Sequence, residues 1–467
     1  MPVAGVQRAA VSSLPPLPPI RRPGPVDVGD LLARLPPSLS VRFEDELATQ
    51  EWTLVTRELP LEWNSPLSTQ ALPVRLFMTD ATTGRRAEMK PAGAFTSGSR
   101  RRWGGRALDV DWVLVADEGE DGTLTLSGQL KAAQPRCVTL SAGVELDLEG
   151  WTWHDDVQTR RAMEPQGDYY ANVSSLPYGR LGEQSPYPFG VVSSERGALV
   201  VETDVDEPRI YQIAAQPVDR YVGIHYDLGL SPETTKFPGR AAFRCFLRAR
   251  PPQSADAFRA ALADFYRRHP DFLARRSPEV GLWMPFMDIS KLPDAQDFGF
   301  AFYEQGGVLG ADVDYGESHH VLTLYYTEPW LYWLPMTPGM ARTLPQAWSW
   351  TRTLGTTGDG LKNDFAASAL VSTTLQTNGL PLLSFIDTPW NTGARMEVST
   401  DPELPVSAET AVNRAMVEWK IVQGALQDPR VDGIYLDSMQ AMQVVDYNPA
   451  ALAVAVAGLL HAAERHV

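Results

Sequence analysis

Between about residues 41 and 250 apolar and polar positions alternate with a period of two, and beyond about 254 the spacing changes to three and four. In the first stretch Leu108-Asp109-Val110-Asp111-Trp112-Val113-Leu114-Val115 and Thr123-Leu124-Thr125-Leu126-Ser127 flank Asp121-Gly122, a hairpin turn signal. Val144-Glu145-Leu146-Asp147-Leu148 alternates cleanly, and the runs 198–203, 209–213, 220–226 and 243–248 are rich in Val, Ile, Tyr and Phe. Many short strands with polar turns predict an antiparallel β-sandwich. After it, Phe258, Ala261, Leu262 and Phe265 recur at helical spacing behind Ser254 as cap, and His269-Pro270 ends that helix.

From 281 onward strand-like and helical stretches take turns. The predicted strands are 281–287, 320–326, 380–386 and 431–436, apolar as strands covered on both faces are. A helix over 408–426 places Val412, Ala415, Met416, Trp419, Val422 and Leu426 on one face, with Ser407 as cap. Another over 449–465 starts from Asn448 and Pro449. Repeated β-then-α order implies parallel strands with right-handed crossovers, and long units suit a β/α barrel. Only about four units fit between 281 and 467, where a closed barrel uses eight. The expected division is a proline-rich lead-in at 1–40, the sandwich at 41–252, a linking helix at 253–280 and a partial barrel at 281–467. An open sheet edge of this kind pairs with something, so the expectations are a fragment, self-association through that edge, or completion by a partner chain.

Composition narrows the partners. Of 467 residues, 44% are hydrophobic and 21% charged, ordinary for a globular protein. A formal net charge of -16 repels polyanions, so nucleic acid is not an expected partner. No apolar run reaches the ~20 residues that span a bilayer, which argues against a membrane partner, and residues 1–25 lack the apolar stretch of a signal peptide. The sequence as it stands reads as cytoplasmic, or as exported if its true start lies elsewhere. Cys137 and Cys245 read as buried free thiols, although strand pairing would allow a bridge.

Side chains just past the C-terminal ends of barrel strands line active sites. Each predicted strand meets an acid there: Asp288, Glu328, Asp387 and Asp437. As a set they point to one cleft; singly, each could cap the next helix. Glu328-Pro329-Trp330 and Asp387-Thr388-Pro389-Trp390 add an indole to an acid. A carboxylate accepts hydrogen bonds from sugar hydroxyls, and a flat indole covers the apolar face of a pyranose ring. Each Trp could instead plug the core at a barrel mouth. Asp432, at the start of its strand, reads as structural. Asp312, Asp314 and Glu317 read as a solvated acidic loop short of the ligands a calcium site needs. His319 and His320, adjacent on a strand, face opposite ways and cannot share a metal. Trp151, Trp153 and His154 read as a sandwich-core cluster. No redox cofactor is implied, and no metal is required.

Asp432-Gly433-Ile434-Tyr435-Leu436-Asp437 resembles the fourth-strand motif of retaining α-glycoside hydrolases. The order of a sandwich of galactose-mutarotase type, a helix ending near Pro270 and Trp283 on the first barrel strand is similar to the α-glucosidase and α-galactosidase superfamily. It is also similar to endo-α-N-acetylgalactosaminidase-like barrels. The resemblance spans roughly 100–467 and implies that Asp437 is the nucleophile acting on an α-linked glycan. Asp288, Glu328, Trp330, Asp387 and Trp390 would then bind an oligosaccharide or glycoside substrate. In such enzymes the acid/base usually comes from a later barrel strand, which this sequence does not contain. Glu328 or Asp387 could substitute for it. The alternatives are a carbohydrate-binding protein without catalysis, or half of a split barrel.

Overall fold

The computed structural model describes residues 39–55, 59–167, 169–172, 174–175, 183–206, 209–232, 238–252, 256–270, 279–357, 360–376, 378–402, 404–406, 411–438 and 446. The chain divides into two compact units, one built on residues 36–270 and the other on 271–376 and 380–441. The first is an antiparallel β-sandwich of a ten-stranded and a seven-stranded sheet. The second carries four parallel strands with associated helices, the arrangement of an incomplete β/α barrel.

Period-two alternation builds the sandwich directly. Strands Arg136–Glu145 and Tyr221–Leu230 pair antiparallel, with Leu140 opposite Tyr226, Ala142 opposite Ile224 and Val144 opposite Val222. All six lie in the core together with Trp63, Trp103, Trp151 and Trp153. Their neighbours Thr139, Ser141, His225 and Asp227 face the other way. Asp121-Gly122 turns between strands Val110–Glu118 and Leu124–Ala132, Gly122 supplying a φ of 77°. Cys137 and Cys245 are buried free thiols.

Among the described residues two helices belong to this unit. Leu39–Thr49 falls where the sequence reads as the start of a strand region; Phe43 is fully buried, and Glu44 and Glu46 pair with Arg240 and Arg100. Ala257–Arg268 buries Phe258 and Phe265 against Phe189. Ser254, its expected cap, lies outside the described residues.

In the second unit β1 (Leu282–Pro285), β2 (Phe300–Gln305), β3 (Leu322–Thr327) and β7 (Gly433–Leu436) are parallel, in the spatial order β1-β2-β3-β7. Helix α1 (Ala311–His319) covers one face, where Met284, Tyr303 and Val321 pack with Ile289 and Tyr315. Between β3 and β7 lies an inserted layer: β4 (Leu331–Pro335), β5 (Leu383–Asp387) and β6 (Thr392–Glu397) form an antiparallel sheet. Helices α2 (Leu344–Thr357) and α3 (Gly360–Ser372) pack on it through Ala347, Ala366 and Ala369. Helix α4 (Arg414–Ala425) leads into β7.

Several expectations change here. The predicted strand 380–386 forms as β5, but it hydrogen-bonds antiparallel to β6 instead of joining the parallel set. The fourth parallel strand is β2, which is not among the predicted strands; its apolar Phe300-Ala301-Phe302-Tyr303 is followed by Glu304. The acidic segment 311–319 is helical, and its Asp312 is buried, accepting from the Tyr303 hydroxyl at 2.6 Å. His319 ends that helix stacked on Tyr315, and His320 adopts φ 58° beyond it, so the pair is not strand-borne. Helix α4 starts at 414 because Asn413 caps it, accepting from the Met416 amide at 3.1 Å. Its buried positions are Arg414, Val417, Glu418 and Ala425, a face rotated from the expected one. Ser407 and the helix expected over 449–465 lie outside the described residues.

Candidate functional site at the rim of the parallel sheet

Strand pairing extends one residue past β7, where the Asp437 amide donates to Thr327 O at 2.9 Å. This carries Asp437 beside the end of β3. The Tyr326 hydroxyl donates to its Oδ2 at 3.1 Å. The next residue, Ser438, adopts φ 52°, uncommon for a side chain with a Cβ. In that conformation its hydroxyl reaches Glu328 Oε1 at 2.7 Å and Asp437 Oδ2 at 3.4 Å. Glu328 Oε2 accepts from the Trp333 indole. Two acids of the predicted strand-end set thus reach one serine.

The inner surface of the same sheet is aromatic. Trp283 stacks on Tyr435 at 5.6 Å and 10°, Tyr435 on Tyr326 at 6.2 Å and 18°, and Phe286 meets Tyr326 edge-on at 5.1 Å. Burial, reinforced by the charges of Glu328 and Asp437, holds the Tyr326 phenol well above its ordinary value, so it stays a donor. Phe286, at the end of β1, also has positive φ, 53°.

Glu304 projects from β2 on the side opposite Tyr303 and Gln305. It is buried, and neither oxygen meets a donor at hydrogen-bonding geometry. Burial first, then the charge of Asp437, pushes its carboxyl up to about 7, with the Trp283 indole acting the other way. An acid inside a strand reads as solvent-facing, which is why the sequence hides it.

The other predicted residues distribute differently. Asp288 caps the turn Ile289–Lys291, accepting from the Ser290 amide at 3.1 Å and pairing with Lys291 at 2.8 Å. The Lys291 ammonium holds its carboxyl below the usual range. Asp387 ends β5 on the antiparallel sheet, exposed and paired with Arg342. Trp390 is 71% exposed and meets Trp333 edge-on at 5.9 Å, which connects it to Glu328. Trp330 is half-buried, its carbonyl accepting from the Val398 amide at 3.0 Å. Asp432 accepts from the Thr323 amide at 2.8 Å at the opposite end of β7.

The Glu328 loop is held from behind. Arg414, 2% exposed, donates to the carbonyls of Glu328 at 2.7 Å, Pro329 at 3.0 Å and Leu331 at 2.9 Å. Its charge is met by Glu418 at 2.9 Å, one helical turn on, and Glu418 in turn accepts from the Thr327 hydroxyl. A lone arginine at the start of a helix gives no sequence sign of this work.

No family model matches the chain, and no curated protein sequence does either. Among solved structures, the α-N-acetylgalactosaminidase NagBb from Bifidobacterium bifidum in its GalNAc complex aligns at 11% identity and a TM-score of 0.33. That alignment covers 75% of this chain and 60% of NagBb. Slr1438 protein from Synechocystis sp. PCC 6803 aligns at 8% identity and a TM-score of 0.25, over 39% of this chain and 80% of its own. A β-arabinopyranosidase aligns at 10% and 0.24, over 65% of this chain and 59% of its own. Likeness at this level assigns neither a family nor a reaction. Among the described residues no helix is long and apolar enough to cross a membrane.

Proposed function

We propose that the second unit contributes a glycoside-hydrolase-type cleft acting on an α-linked glycan, with Asp437 as nucleophile in a retaining mechanism. The observation that carries this reading is the hydroxyl of Ser438 shared by Glu328 and Asp437. Their bridged oxygens can lie no farther apart than its 2.7 and 3.4 Å contacts laid end to end. This bound on the nearest oxygens is compatible with the ~5–5.5 Å between the carboxyl groups of retaining pairs. Asp437 attacks the anomeric carbon as the glycosidic C–O bond breaks, and Glu328 gives the leaving oxygen its proton. Water, deprotonated by Glu328, then cleaves the glycosyl ester and frees Asp437. Trp283 and Trp390, both exposed, offer faces for a pyranose ring, and Asp288 and Asp387 remain candidates for gripping hydroxyls.

A specific observation favours a second reading, carbohydrate binding without turnover. Both Glu328 oxygens are already held by donors, Trp333 and Ser438, the posture of an acceptor. Glu304, whose carboxyl is pushed up to about 7, has both oxygens shut away from solvent.

Incubation with an activated 2-fluoro α-glycoside panel, followed by peptide mass spectrometry, separates the two. Labelling at Asp437, with turnover of aryl α-glycosides lost by orders of magnitude in Asp437→Asn, is the expected result. Turnover untouched in that variant would end the nucleophile assignment, and sugar binding without label or turnover would select the second reading.

A further inference from the structure

The seven-stranded sheet of the sandwich presents a second feature that the barrel site does not use. On its outer face a cavity of about 460 Å³ opens over two adjacent polar rungs. In one, Thr79, Thr139 and Asp227 stand opposite one another across three strands; in the other, Ser141 and Gln212 flank His225. Outward positions of a two-layer sandwich ordinarily carry scattered charges facing water. Here they carry hydroxyl, amide and imidazole groups around a hollow, of a size that takes a small ligand.

The floor is built for that hollow. Gly143 and Gly223 stand opposite each other, and a Cβ on Gly223 would come within 2.3 Å of the Tyr221 hydroxyl. Their lack of side chains lets the Tyr221 ring lie flat on the sheet, fully buried beside His225. Several polar groups are left without a protein partner. His225 Nδ1 and the Ser141 hydroxyl share a hydrogen bond at 2.8 Å, while Nε2 is buried and unmatched. Gln216 Oε1 and the Tyr221 hydroxyl are unmatched as well. Leaving such groups unsatisfied is unfavourable.

Charge indicates what would fit. Burial holds the His225 imidazole down to about 4, so at neutral pH it offers one donor and one acceptor and no charge. Asp227 accepts from the Thr139 hydroxyl at 2.6 Å, and burial raises its carboxyl. Arg86 is matched by Asp219 at 3.1 Å and lies over Phe77. Among the described lining residues Arg86 is matched by Asp219, and Asp227 is the one carboxyl, so no cluster of like charges faces the hollow to select an ion.

We propose that this pocket binds a neutral polyhydroxylated ligand of monosaccharide size, contacted by the hydroxyl, amide and imidazole side chains that line it, Gln216 among them. The site is independent of the carboxylate rim and does not rest on the activity proposed there.

Titration calorimetry and saturation-transfer NMR on the full chain test it with methyl α-D-galactoside, methyl α-D-glucoside and myo-inositol. Glucose 6-phosphate serves as the charged probe. At least one neutral probe is expected to bind with a Kd on the order of 1 mM. Binding should weaken about fivefold in Gln216→Ala. It should vanish in Thr139→Trp, which fills the hollow from an outward position, and persist in Asp437→Asn and Trp283→Ala. Gln216→Ala removes no core contact and keeps the test decisive should Thr139→Trp misfold. Three results would overturn the proposal: no saturation by any neutral probe up to about 50 mM, tighter binding of the phosphate, or binding lost only in the barrel-unit variants.

Discussion

Tryptophan has opposite circumstances in the two units. Trp63, Trp103, Trp151 and Trp153 of the sandwich are all but inaccessible, whereas Trp283 and Trp390 of the second unit are 45% and 71% exposed. The sandwich spends its indoles on a continuous core between two sheets, with Trp103 also donating to Leu59 O at 3.0 Å. The second unit packs Trp348 and Trp350 against a core of its own but leaves Trp283 and Trp390 uncovered. An exposed indole beside carboxylates contributes little to stability, so the difference separates residues kept for packing from residues available to a ligand.

The sharpest way to break that comparison is to truncate one indole from each class. Trp103→Ala should cost about 3–5 kcal/mol in denaturant unfolding, the loss of a fully buried aromatic. Trp390→Ala should fall within about 0.5 kcal/mol of the parent in the same measurement. Equal losses would erase the distinction. Arg414→Met is expected to cost about 3 kcal/mol, because Glu418 is left as a buried charge without its partner. It should also speed hydrogen exchange across 327–335, while Ala257–Arg268 in the sandwich keeps its protection. Uniform exchange changes in both would mean that Arg414 supports the fold at large.

A smaller effect sharpens the comparison further, because the two units should answer pH with opposite signs. Glu304 ionises near 4.5 when unfolded and is pushed up to about 7 when folded. Between those values the folded chain keeps a proton that the unfolded chain has released, so the contribution is full below 4.5 and lost as pH rises to 7. His225 is held down to about 4 from 6.5. There the unfolded chain takes up a proton that the folded one refuses, so stability is lost as pH falls from 6.5 toward 4. Glu304→Gln should flatten the first slope and His225→Gln the second, read by unfolding of each variant across pH 4 to 8. A slope unchanged by its own substitution would remove that residue as the source.

Sequence pattern revealed the sandwich well, because one face of each strand is buried and the period of two is written plainly in runs such as Val110–Glu118. It revealed β1, β3 and β7 for a similar reason, as short apolar runs each followed by an acid. It hid β2, where Glu304 is buried inside the strand, and it placed 380–386 in the wrong sheet. A short apolar run does not disclose whether its partner runs parallel or antiparallel. Asp437 and Glu328 were legible as acids at strand ends. Their junction was not, since it depends on the left-handed turn at Ser438 and on Trp333, reached only through tertiary contact. Asp288 and Asp387 share the strand-end signature, yet one caps its own turn and the other pairs with Arg342. Local position alone does not disclose which partners an acid at a strand end will find.

Arg414 grips the Glu328 carbonyl across a separation of 86 residues. During synthesis, β3 therefore emerges long before the helix that fastens its outgoing loop. The Glu328 loop can be fastened in this way only once α4 has been made and docked. Until then the carbonyls of Glu328, Pro329 and Leu331 lack that donor, so this loop is fastened late in synthesis.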